Sequence, residues 1–384
     1  MSPVKTVPLG ATLAILLTAI GIGLTSGGDP ASAQEVCLGD PNAAGVEAEP
    51  GPRVRFGITP AGVAGALGAP VPVTPGTRAQ TLDALARLRA PRSPFVLRLN
   101  RFFWSLRGAG FRKFLRRATG YTKRGYLVEL QLRYHPDARQ ENRIGRWLRF
   151  VRNVTRVFGR NPRIVGLQVA NEVNFYPIAP DASDSAYAGA REALVRGVIA
   201  ADQVARRRGY EQLEIGFNWA YRTDPDRERS FWEDLAAGGK RFRGAIDWVG
   251  LDAYPGTVFP PTEPPGGERA GIVAAMSQLR ECFMPIAALG PGVPIHVEEN
   301  GWPTGPGRSE ERQEQALRGM VGAVHRFRGT YHVTDYRWFD LRDHNSDGPN
   351  FQQHYGLLRD DYSAKPAFAA YRELVRRLAR RSPR

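Results

Sequence analysis

Cysteine is nearly absent from the chain: Cys37 and Cys282 are the only two in 384 residues. That excludes a disulfide-dense scaffold and a Cys-rich zinc module. Histidine is scarce too, and the six present show no HExxH or other paired spacing suited to a metal. The chain has no P-loop, and no Gly-x-Gly-x-x-Gly follows the first candidate strand, where Gly57-Ile58-Thr59-Pro60 stands instead. No metal and no cofactor are therefore expected. A Gly-x-Ser-x-Gly elbow is also missing, which removes the serine-hydrolase route. Past the N-terminal segment, no stretch approaches 18 uncharged apolar residues, so no membrane span is expected there.

Lysine is the last scarce residue. Only five of the 53 basic residues are Lys; the rest are Arg, and the formal net charge is +15. The arginines are spread over every expected helix rather than gathered into one stripe with interleaved aromatics. This dispersal argues against a nucleic-acid partner. It leaves retention on an anionic cell envelope as an expectation. Apolar residues make up 42% and charged residues 24%, so a sizeable core can be buried and wholesale disorder is excluded.

Residues 1–33 read as an address rather than as fold. Lys5 precedes an uncharged apolar run from Leu9 to Leu24, and Ala31-Ser32-Ala33 follows it. A positive start, an apolar run and an A-x-A site make a secretory signal peptide. There is no twin-arginine pair, which favours the general export route. Cys37 lacks the small residue that a lipoprotein box needs before it. The protein is expected to be secreted, with some envelope association, and to be a monomer. In an exported chain Cys37 and Cys282 are candidates for a disulfide. Residues 34–52, rich in Gly, Pro and Ala, form an extended lead-in.

From residue 53 to 384 one rhythm holds. Candidate strands are Val54–Ile58, Phe95–Leu99, Tyr126–Arg133, Ile164–Ala170, Leu213–Phe217, Trp248–Ala253, Pro294–Glu298 and Tyr331–Trp338. Amphipathic segments alternate with them: Thr77–Leu88, Phe111–Thr119, Arg139–Phe158, Ser185–Arg208, Arg227–Ala237, Arg269–Arg280, Glu310–Phe327 and Lys365–Ala379. Trp147, Phe150, Val151 and Val154 show the helical spacing. Eight βα units predict a single-domain (β/α)8 TIM barrel, favoured over an open doubly wound sheet by the count.

Catalytic residues of such barrels sit at the C-terminal ends of the strands. The fourth strand ends in Ala170-Asn171-Glu172, and the seventh in Glu298-Glu299-Asn300-Gly301-Trp302. About three βα units separate the two carboxylates, which places them across the barrel mouth from each other. Retaining glycosidases need two carboxyls roughly 5–5.5 Å apart, one as acid/base and one as nucleophile. Glu298 and Glu299 compete for the second role, because alternation lets only one of them face the pocket from a regular strand.

Asn171-Glu172 and Glu299-Asn300-Gly301-Trp302-Pro303-Thr304 together make the sequence resemble the glycoside hydrolases of clan A, over roughly residues 53–376. The Glu-x-Gly-Trp-Pro form is similar to that of cellulase-like endo-glucanases and galactanases. The resemblance implies Glu172 as acid/base and Glu299 as nucleophile, with Glu298 in a supporting place. It further implies substrate-binding roles. Arg98 meets the nucleophile, with Arg101 as a close alternative. His135 and Asn171 bind sugar, and Tyr254 donates to the nucleophile. By its place at the eighth strand end, Trp338 either floors the subsite that holds the attacked sugar or packs in the core; Asn218 and Trp219 after the fifth strand are further cleft candidates, and Trp302 of the motif is expected to bind substrate. Asp252 departs from the pattern, since many relatives carry His two residues before this Tyr. The expected activity is that of a retaining β-glycosidase acting on a polysaccharide or oligosaccharide. A transglycosylase and a non-catalytic carbohydrate-binding barrel are the alternatives.

Overall fold

Eight parallel strands close into a barrel in sequence order. They are β1 Arg55–Ile58, β2 Val96–Phe103, β3 Leu127–Arg133, β4 Ile164–Val169, β5 Glu214–Ala220, β6 Trp248–Ala253, β7 Ile295–Asn300 and β8 Val333–Trp338. One main helix follows each: α1 Arg78–Leu88, α2 Arg107–Thr122, α3 Ile144–Phe158, α4 Ala190–Arg208, α5 Pro225–Ala236, α6 Gly267–Ser277, α7 Glu310–Arg326 and α8 Pro366–Leu378. This computed structural model describes residues 47–61, 73–91, 93–175, 182–221, 225–257 and 267–379. The expected signal peptide, most of the lead-in and Cys37 lie outside the described residues. Cys282 lies in a π-helical turn, Gln278–Phe283, and is disulfide-bonded. Among the described residues no helix is long and apolar enough to cross a membrane.

The helices form where the apolar period and the caps agree. Thr77 caps α1 by accepting from the Gln80 N–H, and Ser309 caps α7 by accepting from Arg312. Glu310 and Glu311 in the first turn of α7 complement its dipole. The α4 helix ends at Gly209, which takes a left-handed φ of 66°. One stripe of α3 buries Trp147, Val151, Val154 and Phe158, and the Trp147 indole donates to the Ala193 carbonyl at 2.9 Å, tying α3 to α4. The expected helix start at Arg139 shifts to Ile144, because residues 138–142 form a turn.

Strand alternation sorts the side chains. One parity faces the helix layer and is apolar: Leu97, Leu99, Val128, Leu130, Leu132, Phe217, Leu251 and Val297 are all buried. The other parity faces the barrel axis and is strongly polar. It brings Arg98, Glu129, Gln131, Gln168, His296, Glu298, Asp335 and Arg337 into the interior, every one of them buried. Small residues make room for them. A Cβ on Gly166 would lie 2.7 Å from Glu129 Cγ, and one on Gly216 would lie 2.3 Å from the Trp248 ring. The arginine excess is therefore not confined to the outside of the barrel.

Ion pairs hold this interior together. Arg337 Nη2 lies 2.6 Å from Asp335 and 3.3 Å from Glu129. Arg98 Nε lies 3.2 Å from Glu298 and 3.4 Å from Glu129. His296 bridges Glu298 and Asp335 at 3.4 and 3.3 Å and stacks on Trp248. Removing one partner from a buried network leaves charges unpaired in low dielectric. Arg337→Met should therefore cost about 3–5 kcal/mol of stability. Urea unfolding checks this, and a loss under about 1 kcal/mol would show that the network is not cooperative.

Candidate active site

Glu172 and Glu299 meet at the C-terminal mouth of the barrel. One carboxylate oxygen each from Glu172, Glu299 and Asp252 all lie within 4.8 Å of one another. The local backbone explains how each arrives there.

After β4 the chain turns through two left-handed residues, Ala170 at φ 64° and Glu172 at φ 48°. Non-glycine residues in that region cost on the order of 1–3 kcal/mol, so neighbouring contacts must hold them. Asp184 does part of this. Its carboxylate accepts from the N–H groups of Asn171 at 2.9 Å and Tyr134 at 2.7 Å, and from Arg133 Nε at 2.7 Å. Asn218 does the rest, with Oδ1 accepting the Glu172 N–H at 2.9 Å. The Asn218 Nδ2 donates to Asn171 Oδ1 at 3.0 Å and also to Asp252 Oδ2. Asn171 Nδ2 in turn donates to the Ala182 carbonyl at 3.1 Å and to Glu172 at 3.4 Å.

On β7 strict alternation breaks. Both Glu298 and Glu299 reach the same guanidinium: Arg98 Nε is 3.2 Å from Glu298, and Nη1 is 2.5 Å from Glu299. The register explains it. Leu251 pairs with Val297, but Asp252 pairs with Glu299, so the strand slips by one residue at Glu298. An extra residue in one strand breaks the period of two and re-aims the next side chain. Glu298 thus sits one layer below Glu299.

Glu299 is tightly held. Arg98 binds its Oε1, Tyr254 donates to its Oε2 at 2.6 Å, and Gln131 Nε2 lies 3.4 Å from Oε1. Gln168 Oε1 accepts from Arg98 Nη2 at 2.6 Å and fixes the guanidinium plane. Burial disfavours the Arg98 charge, but Glu299, Asp252, Glu298 and Glu129 outweigh it, and the guanidinium pKa is raised. Burial and then the Glu299 charge push the Tyr254 phenol well above its ordinary range, so it stays a donor. Tyr254→Phe should lower kcat by roughly 10–100-fold with little change in KM, the range for a lost hydrogen bond to a charged group. Steady-state kinetics on an aryl glycoside would show it. An unchanged kcat would mean that the phenol does not tune Glu299.

Burial raises the pKa of two of the three carboxyls. Burial first and the Glu299 charge second push Glu172 up to about 8. The same two causes, in the same order, raise Asp252 well above the carboxylate range. A protonated acid therefore stands beside a carboxylate clamped by Arg98. By donor type and spacing, the trio of Glu172, Asp252 and Glu299, like Glu129 with His296 and Glu298 below, could hold a divalent ion. Arg98 already reaches into both sets and supplies positive charge there.

The other expected residues fall into two groups. Arg98, Asn171, Asn218 and Tyr254 converge on the carboxylates. His135 stands on the rim, stacked on Phe103 at 4.3 Å, with the Tyr187 hydroxyl 2.9 Å from its Nδ1. Arg101, the alternative to Arg98, sits at the β2 bulge with φ 63°, its guanidinium over the Phe103 ring. Trp302 packs after β7 under Arg308 and Arg312, at 4.8 and 5.4 Å from its ring.

Two tryptophans are corrections. Trp219 shares parity with Phe217 on β5 and points to the helix layer, where its indole donates to Glu228 and its ring packs on Phe283. Trp338 shares parity with Tyr336 on β8 and packs against Tyr371 of α8. Arg337 takes the inward position, so the next inward residue is Phe339. Its ring lies 6.2 Å from that of Tyr254 and 5.6 Å from that of Tyr355. Phe339, not Trp338, packs against Tyr254, the partner of Glu299.

Gln131, Gln168, Asp184 and Phe339 are residues that the strand ends alone did not single out. A signal for Gln131 exists in Leu127-Val128-Glu129-Leu130-Gln131-Leu132-Arg133. From Val128 onward apolar and polar residues alternate, and with the apolar parity against the helices the polar one faces the axis.

No family model matches the sequence, and no curated protein is similar to it at a significant level. Solved structures are similar. A GH5_18 protein from Streptomyces cattleya in complex with GlcNAc shares 18% identity over 87% of this chain and 82% of its own, with a TM-score of 0.57. A family 1 β-glucosidase from Thermotoga maritima shares 13% identity over 88% of this chain and 100% of its own, with a TM-score of 0.55. Fungal β-1,4-galactanases share 13% identity over 73% of this chain and 87% of theirs, with a TM-score of 0.51. At such identities the likeness establishes the (β/α)8 barrel, the fold that the clan A resemblance implies.

Proposed function

We propose that the protein is a retaining β-glycosidase that hydrolyses a β-linked polysaccharide or oligosaccharide. The observation that carries this reading is the closeness of Glu172 and Glu299, within 4.8 Å at their oxygens. That spacing suits direct attack by one carboxylate and leaves no room for the water of an inverting mechanism, which needs roughly 6.5–9.5 Å. The barrels named above carry glycosidase names, and this supports the same class.

The sequence of steps follows from the geometry. Glu172, protonated at neutral pH, gives its proton to the glycosidic oxygen. Glu299 Oε attacks the anomeric carbon as the C–O bond breaks, and a glycosyl ester forms. Glu172, now a carboxylate, takes a proton from water, whose oxygen displaces Glu299. Arg98 and Tyr254 stabilise Glu299 when it leaves as an anion. An acceptor sugar in place of water would give transglycosylation.

The pH dependence has a definite sign. Only the protonated form of Glu172 can start the reaction, so kcat/KM should fall as pH rises through about 8. The order of Lys5, the Leu9–Leu24 run and Ala31-Ser32-Ala33 supports export of the mature chain.

A 2-deoxy-2-fluoro glycoside with a good leaving group tests the reading. It should trap a covalent adduct on the peptide that holds Glu299, seen by mass spectrometry. No adduct across gluco, galacto, manno and xylo forms would favour a binding barrel instead.

A further inference from the structure

We propose that a cleft between the start of α1 and one face of α2 binds the anionic groups of an acidic polysaccharide. On the glycosidase reading above, the substrate would then carry carboxylate or sulfate substituents.

The cleft has a volume of about 600 Å³ and is lined by Arg78, Lys113, Arg116, Arg117 and Arg342, with no Asp or Glu among its described lining residues. Two other arginine-lined clefts are different. Arg143, Arg146 and Arg149 line one together with Glu192, and Arg318, Arg372 and Arg376 line another together with Glu373.

The charges converge by construction. Lys113, Arg116, Arg117 and Gly120 are spaced i, i+3, i+4 and i+7, so they share one face of α2. The α2 sequence holds no acidic residue, and these like charges repel one another along the helix. Across the cleft stands the N-terminus of α1, whose first turn also has no acid. The positive end of its dipole adds to the field. A Cβ on Gly120 would come within 3.0 Å of Arg78 Nη2, so Arg78 lies directly against α2. Among the described residues, no ion pair engages Arg78, Lys113, Arg116 or Arg117. Arg342 forms the far wall, fixed by the carbonyls of Thr74 and Asp360 at 2.5 Å each. His344 adds no charge, since burial and Arg342 hold it down at about 4.

Position links the cleft to the mouth. Pro60 follows β1, and Arg342 and His344 follow β8, so the cleft opens at the end of the barrel that holds Glu172 and Glu299. A polymer lying across the mouth can extend into it.

The test uses the full chain and isothermal titration with an oligogalacturonate, a sulfated oligosaccharide and a neutral oligogalactan of equal length. Two variants are compared. One combines Arg78→Gln, Lys113→Gln, Arg116→Gln and Arg117→Gln. The other removes the same charge from α3 by Arg146→Gln, Arg149→Gln, Arg152→Gln and Arg156→Gln. The unaltered protein should bind at least one anionic oligomer roughly tenfold more tightly than the neutral one, and salt should weaken this. The cleft variant should lose that preference and the α3 variant should keep it. The better of the two anionic oligomers separates carboxylate from sulfate. Equal loss in both variants, or no preference at all, overturns the proposal. So does tighter binding of duplex DNA that the cleft variant abolishes. Turnover of a neutral aryl β-glycoside should be unchanged in the cleft variant. If the unaltered chain turns over no glycoside, the glycosidase reading fails and the binding results still decide the cleft.

Discussion

Glu299→Gly is expected to lower kcat by at least about 10⁴-fold, because under the proposed mechanism it removes the group that would form the covalent intermediate. The variant should still fold. Glu299 is inside the mouth, and its main partner Arg98 keeps Glu298, Glu129 and Gln168. The vacated space admits a small anion. Added azide or formate should restore turnover of an activated aryl glycoside, with attack on the anomeric carbon from the side that Glu299 occupied. Azide should give a glycosyl azide of opposite anomeric configuration to the substrate, which proton NMR distinguishes. Robust activity of Glu299→Gln without any anion would sink the nucleophile assignment.

Glu172→Gln should have the next largest effect, of about 10²–10⁴-fold, through loss of general acid catalysis. The size should depend on the leaving group. A dinitrophenyl glycoside needs no proton and should retain most of its glycosylation rate, while an alkyl glycoside or a natural oligosaccharide should lose nearly all of it. The fall in kcat/KM as pH rises through about 8 should also vanish, since the titrating group is gone. A similar loss for every leaving group, with the pH profile intact, would move the acid role to another residue. Asp252 is the alternative the geometry offers, as it is within reach of both glutamates and its pKa is also pushed up, by burial first and the Glu299 charge second.

The site is partly legible in the sequence. Glu172 and Glu299 are legible as carboxylates at strand ends, and Arg98, Asn171 and Tyr254 through the clan A resemblance; the structure brings all five together. Trp219 and Trp338 were misplaced for one reason. A strand end identifies a pair of adjacent residues, and only the direction of the strand relative to the axis says which of them turns inward. On β8 the inward place belongs to Arg337, paired to Asp335 and Glu129, and this sends Trp338 to the helix layer and Phe339 to the mouth. Glu298 and Glu299 escaped alternation altogether, because the slip against β6 is a property of two strands and not of one.

Taken alone, the chain's alternation of short apolar runs with amphipathic segments determined the eight βα units and the end of the barrel where chemistry belongs. Local periodicity and turn residues are written within each unit, so a linear reading can recover them. The tertiary structure alone decided that Asp252 joins Glu172 and Glu299, that burial raises the pKa of Glu172 and Asp252, and that Arg337 lies with Arg98 inside the barrel. Those outcomes depend on distance and burial between residues far apart in the chain. Arg337 and Glu129 are 208 positions apart and 3.3 Å from each other, and no pattern along the sequence encodes that closeness.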